Sequence, residues 1–243
     1  MGVRALALIA ALAGAAAAKP AGVDFVGGTL AAGGAGAPDM AAPSPGIARV
    51  AAQRLAEKNA RRALLRAALA LRAGGKETIA ERLGCPGGAA PCKDAAALAR
   101  LEQGIADEAV EEGIEYFSDG AVRLRARVAL EVLRAALDPR DPADVPRVEP
   151  DAPTALIVDA AGLGAEPGVT PLVRAGQERW TGPVVYAAGA KDASADQRAG
   201  KKKLKLKAKA ASGADLTLED ADAATLAAAR KSGALIIIVG ARK

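Results

Sequence analysis

The chain contains no histidine, only two cysteines, and aromatic residues at just 2%. Each shortage excludes something. Without histidine, the usual neutral-pH base for activating a serine or cysteine nucleophile is missing. Two thiols with no imidazole also make an incomplete zinc ligand set, so neither a metal nor a cofactor is expected. Few aromatics leave no platform on which bases could stack. The net charge of +5 over 243 residues is mild, with acids and bases spread through the same segments, and does not point to nucleic acid. Although 51% of the residues are hydrophobic, much of that is alanine, which buries little area. A core must therefore come from a few Leu, Val and Ile clusters.

Long apolar runs are scarce too. MGVRALALIAALAGAAAAKP places Arg4 before an apolar run and then a small-residue tract ending at Ala18, the layout of a cleaved secretory signal over residues 1–18. The run is shorter than the roughly 20 residues a bilayer span requires. No cysteine sits at the cleavage point for a lipid anchor. The expected location is periplasmic or secreted. Cys85 and Cys92 fit it: LGCPGGAAPCKD has the Pro and Gly residues a tight return needs, and an oxidising compartment favours the disulfide.

The order of helix-like and strand-like patterns along the chain predicts a mixed α+β fold: a helix-plus-hairpin subdomain followed by a small C-terminal α/β subdomain. Residues 19–45, rich in Gly, Ala and Pro, read as a flexible tether; the alternative is a pair of short strands, with Val23 to Val26 as the one plausible run. A helix-and-hairpin subdomain follows over 46–137. Its first helix starts at Ser44-Pro45, stops at Gly74-Gly75, and carries Val50, Leu55, Leu64, Leu65, Leu69 and Leu71. A second helix, from about Lys93 to Ala109, shows Leu98, Leu101 and Ile105 on one face. Asp119 and Gly120 then make the turn of a hairpin, glycine accepting the positive φ. Past the turn, Arg123, Arg125 and Arg127 alternate with apolar residues, a half-buried strand with a cationic face. Those arginines could bind an anion; cross-strand pairing with Glu111, Glu112 and Glu115 is the plainer reading. Residues 138–153, with five prolines, read as a linker.

The last subdomain, 154–243, is expected to be a small α/β unit. TALIVDA and ALIIIVG look like buried strands, and PVVYAAG like a shorter one. KKKLKLKAKAASG alternates Lys203, Lys205 and Lys207 with apolar residues. It is either an electrostatic patch or an edge strand whose lysines discourage pairing. DLTLEDADAATLAAARKSG starts as a strand and turns helical near Glu219.

The candidate site is the loop after the first buried strand, with Asp159, Gly162, Gly164, Pro167 and Pro171. A dinucleotide fingerprint needs G-x-G-x-x-G opening a helix. Here the third glycine, Gly168, comes one position late, and prolines follow. A phosphate-binding P-loop lacks its Gly-Lys-Ser/Thr. Asp159 alone reads as a turn or cap residue. Together with Glu166 it could do acid–base work only if their environments separated their pKa values.

In order along the chain, ARVAAQRLAEKNARRALLRAA, Tyr116-Phe117-Ser118-Asp119-Gly120 with RLRARVAL, TALIVDAAGLGAEPGVTPLV with GPVVY, and EDADAATLAAARKSGALIIIVG resemble the LPP-type bacterial envelope lipoproteins and the related N-terminal region of the flagellar H-ring assembly protein. The resemblance spans roughly residues 46–243. It departs from the family in lacking a lipidation cysteine, in the disulfide loop, and in Ala161 where the family is usually basic. It implies an envelope location and a non-catalytic assembly role. The expected partner is an envelope protein or an anionic envelope polymer, with peripheral membrane association open. The competing expectation is a ligand-binding or hydrolytic protein using the Asp159–Pro171 loop.

Overall fold

The structure, a computed structural model, describes residues 21–88, 91–139 and 152–241. The expected signal segment lies outside them, as does most of the expected linker. The fold is mixed α and β, in two units that share a seam.

The first unit is an antiparallel sheet in the order β1 (Gly22–Asp24), β2 (Thr29–Gly36), β4 (Val122–Ala129), β3 (Val110–Tyr116). Helices α1 (Pro45–Ala70), α3 (Ala95–Glu108) and α4 (Leu130–Leu137) share its core, with the single turn α2 (Ile79–Arg82) between the first two. Helix α1 starts where the sequence says it should: the Ser44 hydroxyl accepts from the Ile47 N–H and Pro45 supplies the first-turn φ. Asp94 caps α3 in the same way through the Ala97 N–H at 2.9 Å. Thr78 and Glu81 form a reciprocal capping box on α2. That hydrogen bonding to Thr78 holds the Glu81 carboxyl below the usual range.

Two expectations are corrected here. The expected tether contains two strands, β1 and β2, joined by a turn at residues 25–28, and β2 is an interior strand, paired along its whole length from Thr29↔Ala129 to Gly36↔Val122. The buried face of α1 is also not the Val50–Leu55 side, both of which are exposed. It is a stripe at four-residue spacing, Ala52, Ala56, Ala60, Leu64 and Ala68, each without solvent contact. The two corrections have one cause. A β-carbon added at Gly34 would lie 2.2 Å from the Ala56 carbonyl oxygen, and one at Gly36 would lie 1.9 Å from that of Ala52. The helix backbone rests almost directly on the strand backbone, and only glycine against alanine permits it. The low-complexity composition is close packing.

The second unit is a parallel sheet in the order β8 (Val184–Ala187), β12 (Leu235–Val239), β5 (Ala155–Asp159), β9 (Lys203–Lys207). Both its faces are covered, which is why its inner strands read as continuous apolar runs. Ala155, Ile157, Ile237 and Val239 pack against α5 (Ala190–Ala195) and Ala199. Leu156, Val158, Ile236 and Ile238 face a second, smaller sheet, β10 (Ala210–Ser212), β11 (Asp215–Thr217), β6 (Val173–Ala175) and β7 (Glu178–Trp180), together with α6 (Ala223–Ser232). Among the described residues no helix is long and apolar enough to cross a membrane.

Candidate functional site

The Asp159–Pro171 loop leaves the C-terminal end of β5 as turns and extended chain, with no helix at its glycines. Gly162 and Gly164 hold φ of +79° and +69°, which only glycine adopts at low cost. Asp159 caps its own turn, its carboxylate accepting from the Ala161 N–H at 2.9 Å. Glu166 forms an ion pair with Arg72, just beyond α1. The two acids are therefore held by different partners, one local and one across the molecule.

From there the loop runs along the first unit. The N–H groups of Val169 and Thr170 donate to the carbonyls of Arg72 and Ala73 at 2.9 and 2.7 Å. Thr170 is buried and its hydroxyl takes a 2.6 Å hydrogen bond from Arg82. Pro171 is buried, Pro167 half-buried. Gly168 is squeezed between units: an added β-carbon would lie 2.6 Å from that of Ala214 and 2.9 Å from the Ala73 carbonyl oxygen. Opposite, Asp215 accepts from the N–H groups of Gly75 and Leu172 at 2.7 and 2.9 Å, tying the end of the first helical region to β6 and β11. The loop is a joint between two subdomains.

Two residues that the sequence reading passed over complete this joint. Arg134 on α4 is 7% exposed, and its guanidinium donates to the carbonyls of Val169 (2.8 Å) and Val184 (3.0 Å) while pairing with Glu131. The signal was present: in LEVLRAAL, Arg134 falls on the face shared by Leu130, Leu133 and Leu137, a charge on a buried stripe. Tyr186 on β8 is buried, its hydroxyl donating to the Gly168 carbonyl (2.9 Å) and accepting from the Gly168 N–H (2.8 Å). Burial pushes that hydroxyl well above the ordinary tyrosine range. Its ring meets Phe25 edge-on at 5.5 Å, so the β1–β2 connection also reaches the second unit.

Beside the joint lies an open cleft of about 400 Å³ whose polar lining includes Lys76, Glu77, Arg82, Thr170, Thr181 and Asp215. Its charges are two of each sign, and Asp215 and Thr170 already serve the seam. A second hollow, about 330 Å³, sits at the tip of the β3–β4 hairpin between Ser118-Asp119-Gly120 and the Pro38–Pro45 approach to α1. The turn itself is as expected: Gly120 has φ of +85° and Asp119 accepts from the Ala121 N–H.

The expected basic patch divides. On β4, Arg123 and Arg125 pair with Glu115 (3.1 Å) and Glu112 (2.6 Å) of β3, while Arg127 has no acidic partner among the described residues. On β9, Lys203 folds back onto the Ser194 carbonyl. Lys205 and Lys207 are exposed, with no acidic partner among the described residues. Strand β9 is an edge, paired only with β5.

Cys85 and Cys92 form a disulfide, both sulfur-bearing residues being buried. It ties the end of the α2 turn to the approach to α3. Such a bridge is favoured in an oxidising compartment. Among the described residues, no group of three or more His, Cys, Asp or Glu side chains comes together to hold a metal.

No protein-family model and no curated protein matches the chain.

Proposed function

We propose that this is an exported, non-catalytic cell-envelope protein that acts as a binding or assembly module. The observation that carries the reading is what the Asp159–Pro171 loop does with its polar groups. Asp159 closes a turn, Glu166 pairs with Arg72, Thr170 bonds across the seam, and the backbone at Gly168 is held by Tyr186. A loop whose acids are each committed to structure is poorly suited to acid–base chemistry, which needs carboxylates free to exchange protons with a substrate. What remains for a partner is surface, above all Lys205 and Lys207 of β9, which have no acidic partner among the described residues. The disulfide and the signal-like N-terminus support export, and the resemblance to envelope and flagellar assembly proteins supports the kind of partner.

Crosslinking in intact cells, followed by capture of the tagged protein and mass spectrometry, tests this reading. A stoichiometric envelope or flagellar protein is the expected result. Salt-sensitive retention on an anionic envelope polymer would support the module reading with a polymer as partner. Recovery of a monomer carrying a small molecule, released by changes at Asp159 or Glu166, would overturn the proposal in favour of a ligand-binding or hydrolytic protein.

A further inference from the structure

Among the sheet edges of the described residues, β3 and β9 carry opposite charge. Strand β3 closes one side of the first sheet and carries Glu111, Glu112 and Glu115 with no basic residue. Strand β9 closes one side of the parallel sheet and carries Lys203, Lys205 and Lys207 with no acidic residue. Each has an apolar residue left partly in solvent, Val110 at 57% and Leu204 at 38%. The two strands belong to different sheets of one molecule, and neither is paired on its outer side.

An open edge is a row of unsatisfied N–H and C=O groups that can accept another strand. Sign decides which strand. Two copies of β9 brought edge to edge would oppose lysine with lysine, and two copies of β3 would oppose glutamate with glutamate; both arrangements are disfavoured. Strand β3 of one copy against β9 of another opposes unlike charges. Lys205 and Lys207 have no internal acid to give up, and Glu111 has no internal base among the described residues. Glu112 and Glu115 stay with Arg125 and Arg123, which leaves those two β4 arginines neutralised in the contact.

We infer that this protein self-associates head to tail, β3 of one copy adding to β9 of the next. The occupant of each edge is a second copy of the same chain. Such an interface is heterologous, so it builds a ring or a filament and does not stop at a two-fold dimer. The inference deepens the assembly reading above and rests on it.

The test is sedimentation of the purified protein across concentration, at low salt and at about 1 M salt, where screening shortens to ~3 Å. The expected result is concentration-dependent growth at low salt that is lost at high salt. Two edge-reversed proteins sharpen it: Lys205→Glu with Lys207→Glu, and Glu111→Lys. Each alone should shift strongly toward monomer, with helical circular dichroism unchanged. Mixed in equal amounts at low salt, the intact β3 of one meets the intact β9 of the other, and association should return. A wild-type protein that stays monomeric at low salt overturns the inference. So does association that survives both reversals, or a mixture that stays monomeric. A monomer that still retrieves a stoichiometric partner from cells would sink this inference alone and leave the assembly reading in place.

Discussion

The α1–β2 contact of the first unit and the parallel sheet of the second solve the same packing problem with opposite residues. In the second, strands β5 and β12 are runs of Leu, Ile and Val that bury large side chains on both faces of a parallel sheet. In the first, strand β2 is TLAAGGAG and its covering helix offers mostly alanine. The second unit gains stability from area removed from water, at about 25 cal/mol per Å² of apolar surface. Where α1 crosses β2 the first gains it from backbone-to-backbone proximity, through many short contacts that any added atom would force apart, while the rest of its core buries Leu101, Ile105 and Leu133 much as the second unit does. The parallel-sheet core tolerates a change in volume; the α1–β2 contact does not.

The largest test of that contrast is a matched pair of substitutions. Gly36→Val places side-chain atoms where the Ala52 carbonyl stands and should cost about 3 kcal/mol or more, because the obstacle is helix backbone and cannot rotate away. Ile237→Val, in the fully buried centre of β12, should cost only ~1 kcal/mol. Chemical denaturation measures both. Equal costs would erase the distinction between the two cores.

The seam comes next. Arg134→Ala removes a buried guanidinium that satisfies two carbonyls and leaves them without donors. A loss of about 3 kcal/mol is expected. Because the contact crosses units, the loss should appear equally in probes of either one; a drop confined to the helical signal would place Arg134 inside the first unit alone.

Cys85→Ser acts within the first unit only. Opening a bridge between residues seven apart should lower stability by about 2 to 3 kcal/mol under oxidising conditions, on the loop-entropy relation. With reductant present, wild type and variant should melt together. A deficit that persists in reductant would assign the loss to packing of the buried Cys85.

Tyr186→Phe is the subtlest. It keeps the ring but strips the hydroxyl from Gly168, whose N–H and carbonyl then lack partners, for a cost of about 1 to 3 kcal/mol at neutral pH. The alkaline limb carries a second signature. The folded state raises the tyrosine above its unfolded value near 10, so its contribution is fully present below about pH 10 and declines as pH rises further. The variant should lose less stability than wild type between about pH 10 and 11. Parallel curves would remove the buried hydroxyl from the account.

Legibility in the sequence followed the same divide. TALIVDA and ALIIIVG announce themselves as buried strands because large β-branched and aliphatic residues have little other use in such runs. KLKLK was readable as an edge because its alternation matches the pleat. Strand β2 was not readable: glycine and alanine carry no periodic signal, and their reason for being there lies on α1, more than fifteen positions away. The loop at Gly162 and Gly164 was recognisable as a sharp exit from β5. Its attachment to Arg72, Ala73 and Tyr186 was not, since those contacts depend on how the units meet.

That meeting can be measured with one protein and two probes. Trp180 is the single tryptophan of the chain and sits buried in the second unit, whereas α1, the longest helix described, dominates the far-ultraviolet signal of the first. If the Asp159–Pro171 loop is a joint, tryptophan fluorescence and helical circular dichroism should trace one denaturation curve with one midpoint. Two separated midpoints would show that the units unfold independently, and would contradict a loop committed to holding them together.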